Sequence, residues 1–316
     1  MDAYNDLYNR ALRAIAGRPL ETVVERTRAI VGPPLKDLEG DAQAGLAALK
    51  QGIKPTSAQV AALQAIVRSM RPSALSRAGI VDSLPPEAQP VFPSWPDFAQ
   101  LIVPHLYTVG RVDRKSGGAL PPDPYGTGFL ITPELFLTNH HVVTQLSGGT
   151  DVVNSGEAEI RFVQEYNSPD EAAVPVIEVL RFHEEEDAAI LRLAPTKILE
   201  ERKPLSWSNA LADAGDHIAV VGYPFPDSTR NPLFVDQIFG ANKLGVKRLA
   251  PGELIGARKG IIYHDCSTLG GNSGSPVLDM KNGSVVGLHR DGYFLARNEA
   301  LSAAALQEFV GSYLGV

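Results

Sequence analysis

A mainly β fold preceded by a small all-α region is predicted by three features of this 316-residue sequence. Apolar residues recur at helical spacing through the first seventy positions. Six prolines then crowd positions 72–96, and from Leu106 onward short apolar or alternating runs are separated by Gly and Pro.

In the N-terminal region Leu7, Arg10, Ala11, Ala14 and Ile15 follow helical spacing, and Gly17-Arg18-Pro19 stops the run. Leu20 to Val31 reads as a second helix ended by Gly32-Pro33-Pro34, and Leu35 to Lys50 as an Ala- and Leu-rich third. A fourth begins at Thr56, whose hydroxyl can cap the helix while Gln59 closes a capping box. From there Val60, Leu63, Val67 and Met70 form an apolar stripe, the pattern of bundle packing rather than of a cofactor site. Helices this short are marginal alone, so they must pack together, on the rest of the chain or on a partner. Residues 1–71 are read as a helical regulatory or adaptor region. Pro72, Pro85, Pro86, Pro90, Pro93 and Pro96 remove backbone donors and disfavour helix. Residues 72–96 are thus expected to be a stiff, accessible linker and a natural proteolytic site, with residues 97–316 as the main domain.

In that domain Leu106 to Val112, Gly128 to Thr132, Ala158 to Val163, Val174 to Phe182 and Ala188 to Leu193 make a first set of strands. His217–Tyr223, Leu233–Phe239, Lys247–Ile255, Ile261–His264, Ser275–Leu278, Val285–His289 and Phe294–Arg297 make a second. Lys281-Asn282-Gly283 is an Asn-Gly hairpin signal. Leu306, Phe309, Val310 and Tyr313 then give a C-terminal helix capped by Ser302.

Composition narrows the function. Apolar residues make up 44% of the chain and charged residues 21%, ordinary values for a globular protein. No run has the length of a membrane span, and Met1-Asp2-Ala3-Tyr4-Asn5-Asp6 lacks the basic and apolar regions of a secretory signal. A cytoplasmic location without membrane contact is expected. Cys266 is the sole cysteine, so no internal disulfide forms, and no motif pairs it with a base. Residues 91–316 hold 18 Lys/Arg against 27 Asp/Glu, which argues against nucleic acid as a partner. No cofactor or metal site is expected: His105, His183, His217 and His264 show no ligand spacing, and Glu184-Glu185-Glu186 reads as a solvated loop.

The chemistry concentrates in Gly270-Gly271-Asn272-Ser273-Gly274-Ser275-Pro276. A serine hydroxyl is a poor nucleophile unless a base and an orienting acid accompany it. Thr138-Asn139-His140-His141-Val142 supplies a histidine and Asp187-Ala188-Ala189-Ile190-Leu191 an acid. Only Asp187 of its acidic run leads directly into a buried strand. The order His141, Asp187, Ser273 differs from that of subtilisin-like enzymes and of α/β-hydrolases.

These motifs, together with Gly126-Thr127-Gly128-Phe129-Leu130-Ile131, resemble bacterial trypsin-like serine endopeptidases, the glutamyl endopeptidases most of all. The resemblance spans about residues 95–316 and leaves residues 1–90 uncovered. It implies a chymotrypsin-like double six-stranded β-barrel and a triad of His141, Asp187 and Ser273 acting through an acyl-enzyme on proteins or peptides. It favours His141 over His140, because the catalytic histidine of that family directly precedes the apolar residue that continues the short helix. It further implies an oxyanion hole from the amides of Gly271 and Ser273. Trypsin-like zymogens carry an aspartate where this chain has Asn272, and a neutral amide cannot pair with a newly cleaved terminus.

Specificity follows the same resemblance. Trypsin places an Asp where Ser267 stands, so an Arg/Lys pocket is not expected. Glutamyl endopeptidases use a Thr and a His at places matching Thr268 and His289 to bind a substrate carboxylate, implying acidic residues at P1, the position whose carbonyl is attacked. Arg290 and Asp291 depart from that family's pattern. Cytosolic bacterial proteases with helical additions sometimes act in defence or signalling assemblies, which would give residues 1–71 a recruiting role. Two alternatives stay open: a catalytically silent binding module on a protease fold, and a protease with an inhibitory N-terminal prodomain.

Overall fold

The computed structural model describes residues 2–31, 37–115, 123–168, 173–208, 213–228, 232–240, 243–293 and 297–314. Four helices open the chain: α1 (Asp2–Ile15), α2 (Leu20–Val31), α3 (Leu38–Lys50) and α4 (Ser57–Ser69). The capping box is formed, with the Gln59 amide donating to Thr56 Oγ1 and the Thr56 amide to Gln59 Oε1. Ala62, Leu63, Ile66 and Val67 of α4 are buried, and they belong to one apolar core with Leu7, Ala11, Val24 and Leu38 of the other helices. The Gly32-Pro33-Pro34 stop and Leu35 lie outside the described residues.

The Pro-rich stretch is built into the molecule, not strung across solvent. Residues 74–77 form β1 (Ala74–Arg77), which pairs with β2 (Ile80–Val81) and also adds to the second barrel. Leu84, Ala88, Val91, Phe92 and Trp95 are buried among the prolines. The prolines do keep this stretch out of long helices. The apolar residues between them nevertheless bury, and they make it part of the core. A short helix, α5 (Trp95–Ile102), and a 3-10 turn (Val103–Thr108) complete it. The strand expected from Leu106 therefore starts at Val109.

The first barrel contains β3 (Val109–Arg114), β4 (Asp123–Leu130), β5 (Leu135–Thr138), β6 (Ala158–Arg161), β7 (Val174–His183) and β8 (Ala188–Leu193). It closes in the order β3-β4-β5-β8-β7-β6. Its interior is filled by Val112, Leu130, Phe136, Ile160, Val174 and Leu191. Helix α6 (His140–Leu146) follows β5, and α7 (Lys197–Glu200) follows β8.

The second barrel contains β9 (His217–Gly222), β10 (Arg248–Arg258), β11 (Ile261–His264), β12 (Pro276–Asp279), β13 (Val285–Tyr293) and β14 (Arg297–Ser302). Pairing of β10 with β11 closes it, and the β1–β2 hairpin extends the outer edge of β10. The expected strand at Leu233–Phe239 is instead a helix, α8 (Pro232–Phe239). Phe234, Ile238 and Phe239 bury one helical face while Leu233 is 58% exposed. A strand would have put Leu233 and Val235 on the same buried side; the period is 3.6 rather than 2. Phe294 to Ala296 lie outside the described residues. The C-terminal α9 (Ala303–Leu314) starts where Ser302 Oγ accepts from the Ala305 amide.

The helical region is joined to the second barrel by a buried ion cluster. Arg71 Nε and Nη2 donate to both oxygens of Asp265, and Nη2 also to Glu253, at 2.8–3.0 Å. Arg10 bridges Asp6 and Asp265, and Arg13 pairs with Glu253. Burial opposes ionisation of Asp265, yet Arg71, Arg10 and Arg68 hold its carboxyl well below the usual range. Removing one member of such a cluster leaves its partners buried and uncompensated, at a cost of about 3–5 kcal/mol.

Candidate active site

β5 ends at Thr138, and Asn139 turns the chain into α6, so His140 and His141 fall in its first turn. Across the barrel rim, Asp187 immediately precedes β8, with φ at 55°. This left-handed conformation is unusual for a residue with a side chain, although Asp tolerates it better than most. It lets the carboxylate meet His141 twice. Oδ1 accepts from the His141 amide at 2.9 Å and Oδ2 lies 2.8 Å from Nδ1. Asn139 Nδ2 donates to the Asp187 carbonyl at 2.8 Å and fixes the turn from behind. An imidazole held this way carries its proton on Nδ1, which leaves Nε2 as an acceptor. His140 turns elsewhere, stacking on Phe182 with centroids 4.5 Å apart and placing Nε2 3.0 Å from Asp151.

Ser273 comes from the other barrel, in the loop between β11 and β12. The Ser273 carbonyl accepts from the Thr127 amide at 2.8 Å, and Thr127 Oγ1 donates to the Gly271 carbonyl at 2.6 Å. The first-barrel motif Gly126-Thr127-Gly128 thus holds the serine loop from across the cleft. Gly271 has φ of +88°, and a Cβ there would fall 2.4 Å from the Tyr223 carbonyl oxygen. Glycine is required by both the torsion and the space. Among the described residues, neither the Gly271 nor the Ser273 amide has a protein acceptor. His141, Asp187 and Ser273 line one surface pocket, bordered by Glu185, Arg290 and Asp291.

A second cavity opens beside Ser273, and Thr268, Gly270 and His289 line it. His289 is 3% exposed. Burial, reinforced by the neighbouring His141 imidazole and the Arg68 cation, pushes its imidazole down to about 3, so the ring is neutral near pH 7. Its Nδ1 lies 3.2 Å from Nε2 of the equally buried His264. If Nδ1 accepts from His264, the Nε2 of His289 is the nitrogen that carries the remaining proton. Cys266 is fully buried, and burial raises its thiol well above the usual range. A thiol kept neutral in this way is no rival nucleophile.

Three contributors carry no role in the sequence reading: Asn139, His264 and Arg68. Asn139 lies within the histidine motif, two positions before His141, and could have been suspected from that alone. His264 reads from sequence as an ordinary strand histidine. Arg68 sits in the apolar pattern of α4 yet also lines the cavity beside Ser273. Of the other histidines, His105 meets the Lys203 carbonyl, His183 the Glu186 amide, and His217 packs edge-on to Phe92. Among the described residues no group of His, Cys, Asp and Glu could hold a metal ion, and no helix is long and apolar enough to cross a membrane.

Residues 126–288 match the trypsin-like peptidase domain, and the chain belongs to this family. A probable serine protease of Lysobacter enzymogenes is 33% identical over 236 residues, covering 62% of this chain and 60% of that protein. A glutamyl endopeptidase of Staphylococcus aureus is 28% identical over 200 residues, covering 60% and 54%. The chain thus spans little more than half the length of these relatives. A solved serine endoprotease from Yersinia pestis aligns with a TM-score of 0.48 and 14% identity, over 69% of this chain and 66% of that one.

Proposed function

We propose that this protein is a serine endopeptidase that cleaves proteins or peptides after acidic residues, with His141, Asp187 and Ser273 as its triad. The observation that carries this reading is the doubly bonded Asp187–His141 pair facing the same pocket as Ser273. Ser273 Oγ attacks the carbonyl carbon while His141 Nε2 takes the hydroxyl proton. The imidazolium so formed is stabilised by Asp187, and it returns the proton to the departing amine as the C–N bond breaks. A water, deprotonated by the same nitrogen, then cleaves the acyl-enzyme. The amides of Gly271 and Ser273 donate to the oxyanion, an interaction worth on the order of 10²–10³ in turnover per donor.

Acidic preference rests on the cavity beside Ser273. The Thr268 hydroxyl and a neutral His289 N–H can both donate to a P1 carboxylate, whereas neither offers a counter-charge to Arg or Lys. The relative named a glutamyl endopeptidase agrees with this chemistry. Residues 1–71 would control or recruit the enzyme from their seat on the second barrel. The test is a cleavage-site profile on a peptide library, with the Ser273→Ala protein as control. Cuts after Glu or Asp that vanish in the control are expected; cuts after Arg or Leu with Glu and Asp refused would sink the acidic preference.

A further inference from the structure

The four arginines at the seat of the helical region are not equally neutralised. Arg10, Arg13 and Arg71 share three carboxylates, those of Asp6, Glu253 and Asp265. The fourth, Arg68, is 6% exposed, and among the described residues its guanidinium bonds only to backbone. Its Nη1 donates to the carbonyl oxygens of Asp265 and Cys266 at 2.8 and 2.7 Å. Burial lowers its basicity to about 10, which leaves it charged at neutral pH. A buried cation with no directly bonded carboxylate is costly, and an anion entering the cavity would offset that cost.

Arg68 lines the cavity that also holds Thr268, His289 and Ser273. Its positive charge is felt at His289, whose protonation it disfavours. The other charged groups of this cavity are Asp227, Arg290 and Asp291. Arg290 pairs with Glu299 at 3.5 Å, and Asp291 accepts from the Gly292 amide. Arg68 alone combines charge, burial and the lack of a carboxylate at hydrogen-bond distance; the Asp265 carboxylate, bonded to Arg71 and Arg10, acts on it only through space.

We propose that Arg68, carried into the cleft by α4, is a substrate-binding residue that supplies the counter-charge for the P1 carboxylate. The helical region is then part of the specificity site and not only a regulator attached to it. This inference rests on the acidic-P1 reading above. Thr268 and His289 contribute neutral donors; Arg68 contributes the charge that separates Glu from its neutral isostere Gln.

The experiment compares full-length wild type with Arg68→Gln on fluorogenic peptides identical except for Glu, Gln or Leu at P1. Wild type should prefer Glu over Gln in kcat/KM. In Arg68→Gln that ratio should fall roughly ten- to hundredfold, the usual worth of a hydrogen bond to a charged group. A merely structural role for Arg68, through the Asp265 and Cys266 carbonyls it holds, would lower activity on the Glu, Gln and Leu peptides alike and leave the Glu/Gln ratio unchanged. If wild type shows no preference for Glu over Gln, the acidic-P1 reading fails and takes this inference with it. If wild type prefers Glu and the variant keeps the same ratio, Arg68 is not the counter-charge, although the acidic preference stands. Should Arg68→Gln not fold, Arg68→Met decides, because it fills the buried stem's space without a charge: the ratio should fall by a similar factor, and an unchanged ratio overturns the proposal.

Discussion

The His141–Asp187 wall of the cleft rests on its own barrel, whereas the Ser273 wall leans on the N-terminal helices. On the first side, α6 and the turn before β8 are joined by three short hydrogen bonds, all within the first barrel. On the second, the segment leading to Ser273 is gripped from outside. Asp265 is bound by Arg71 and Arg10, its carbonyl and that of Cys266 by Arg68, and Ser267 Oγ donates to the Arg71 carbonyl. On the proposed reading, proton transfer falls to a self-contained unit and substrate selection to one that depends on a region outside the protease motifs.

The comparison can be broken first at the chemistry. Ser273→Ala should cut turnover by about 10⁶-fold and Asp187→Asn by about 10⁴-fold, with near-native thermal unfolding in both. Peptide hydrolysis and calorimetry check this. A large loss of stability in Asp187→Asn would show that the first wall is not self-contained.

The second prediction strikes the helical seat. Arg71→Met leaves Asp265 and Glu253 buried with fewer partners and should destabilise the protein by about 3–5 kcal/mol in urea unfolding. An unchanged midpoint would mean that the cluster does not hold the Ser273 wall.

A smaller effect should appear with pH. An unfolded histidine takes up a proton near 6.5, but folded His289 resists until about 3, and His264 is shifted the same way by burial. Between those values the unfolded chain binds more protons, so stability is full above about pH 6.5 and is lost as the pH falls through this window. Both rings lie near Arg68, whose charge reinforces the direction; His141 also neighbours His289, and Asp265 opposes the shift at His264. Melting temperatures from pH 7 to pH 5 should decline, and less steeply in His289→Gln.

Much of this was legible in the chain because the determinants are local. The capping box at Thr56 needs only three residues, and the serine loop carries its glycines within seven positions. The helix at 232–239 was missed because a short apolar run bounded by a proline and a glycine fits either period. The burial of Leu84, Ala88, Val91, Phe92 and Trp95 is not legible because prolines argue about backbone and say nothing of what covers Phe92 or Trp95. Arg68 was invisible for a different reason: it is about two hundred residues from Ser273, and only the docking of α4 on the second barrel brings the two to one cavity.

The central claim, that Ser273 is a nucleophile activated across the cleft by the first barrel, is tested most directly by labelling. Full-length protein is treated with a fluorophosphonate and the adduct is located by mass spectrometry. The account predicts stoichiometric modification at Ser273 in wild type, strong slowing in His141→Ala and none in Ser273→Ala. A folded wild-type protein that takes no label, or takes it at another residue, would contradict it.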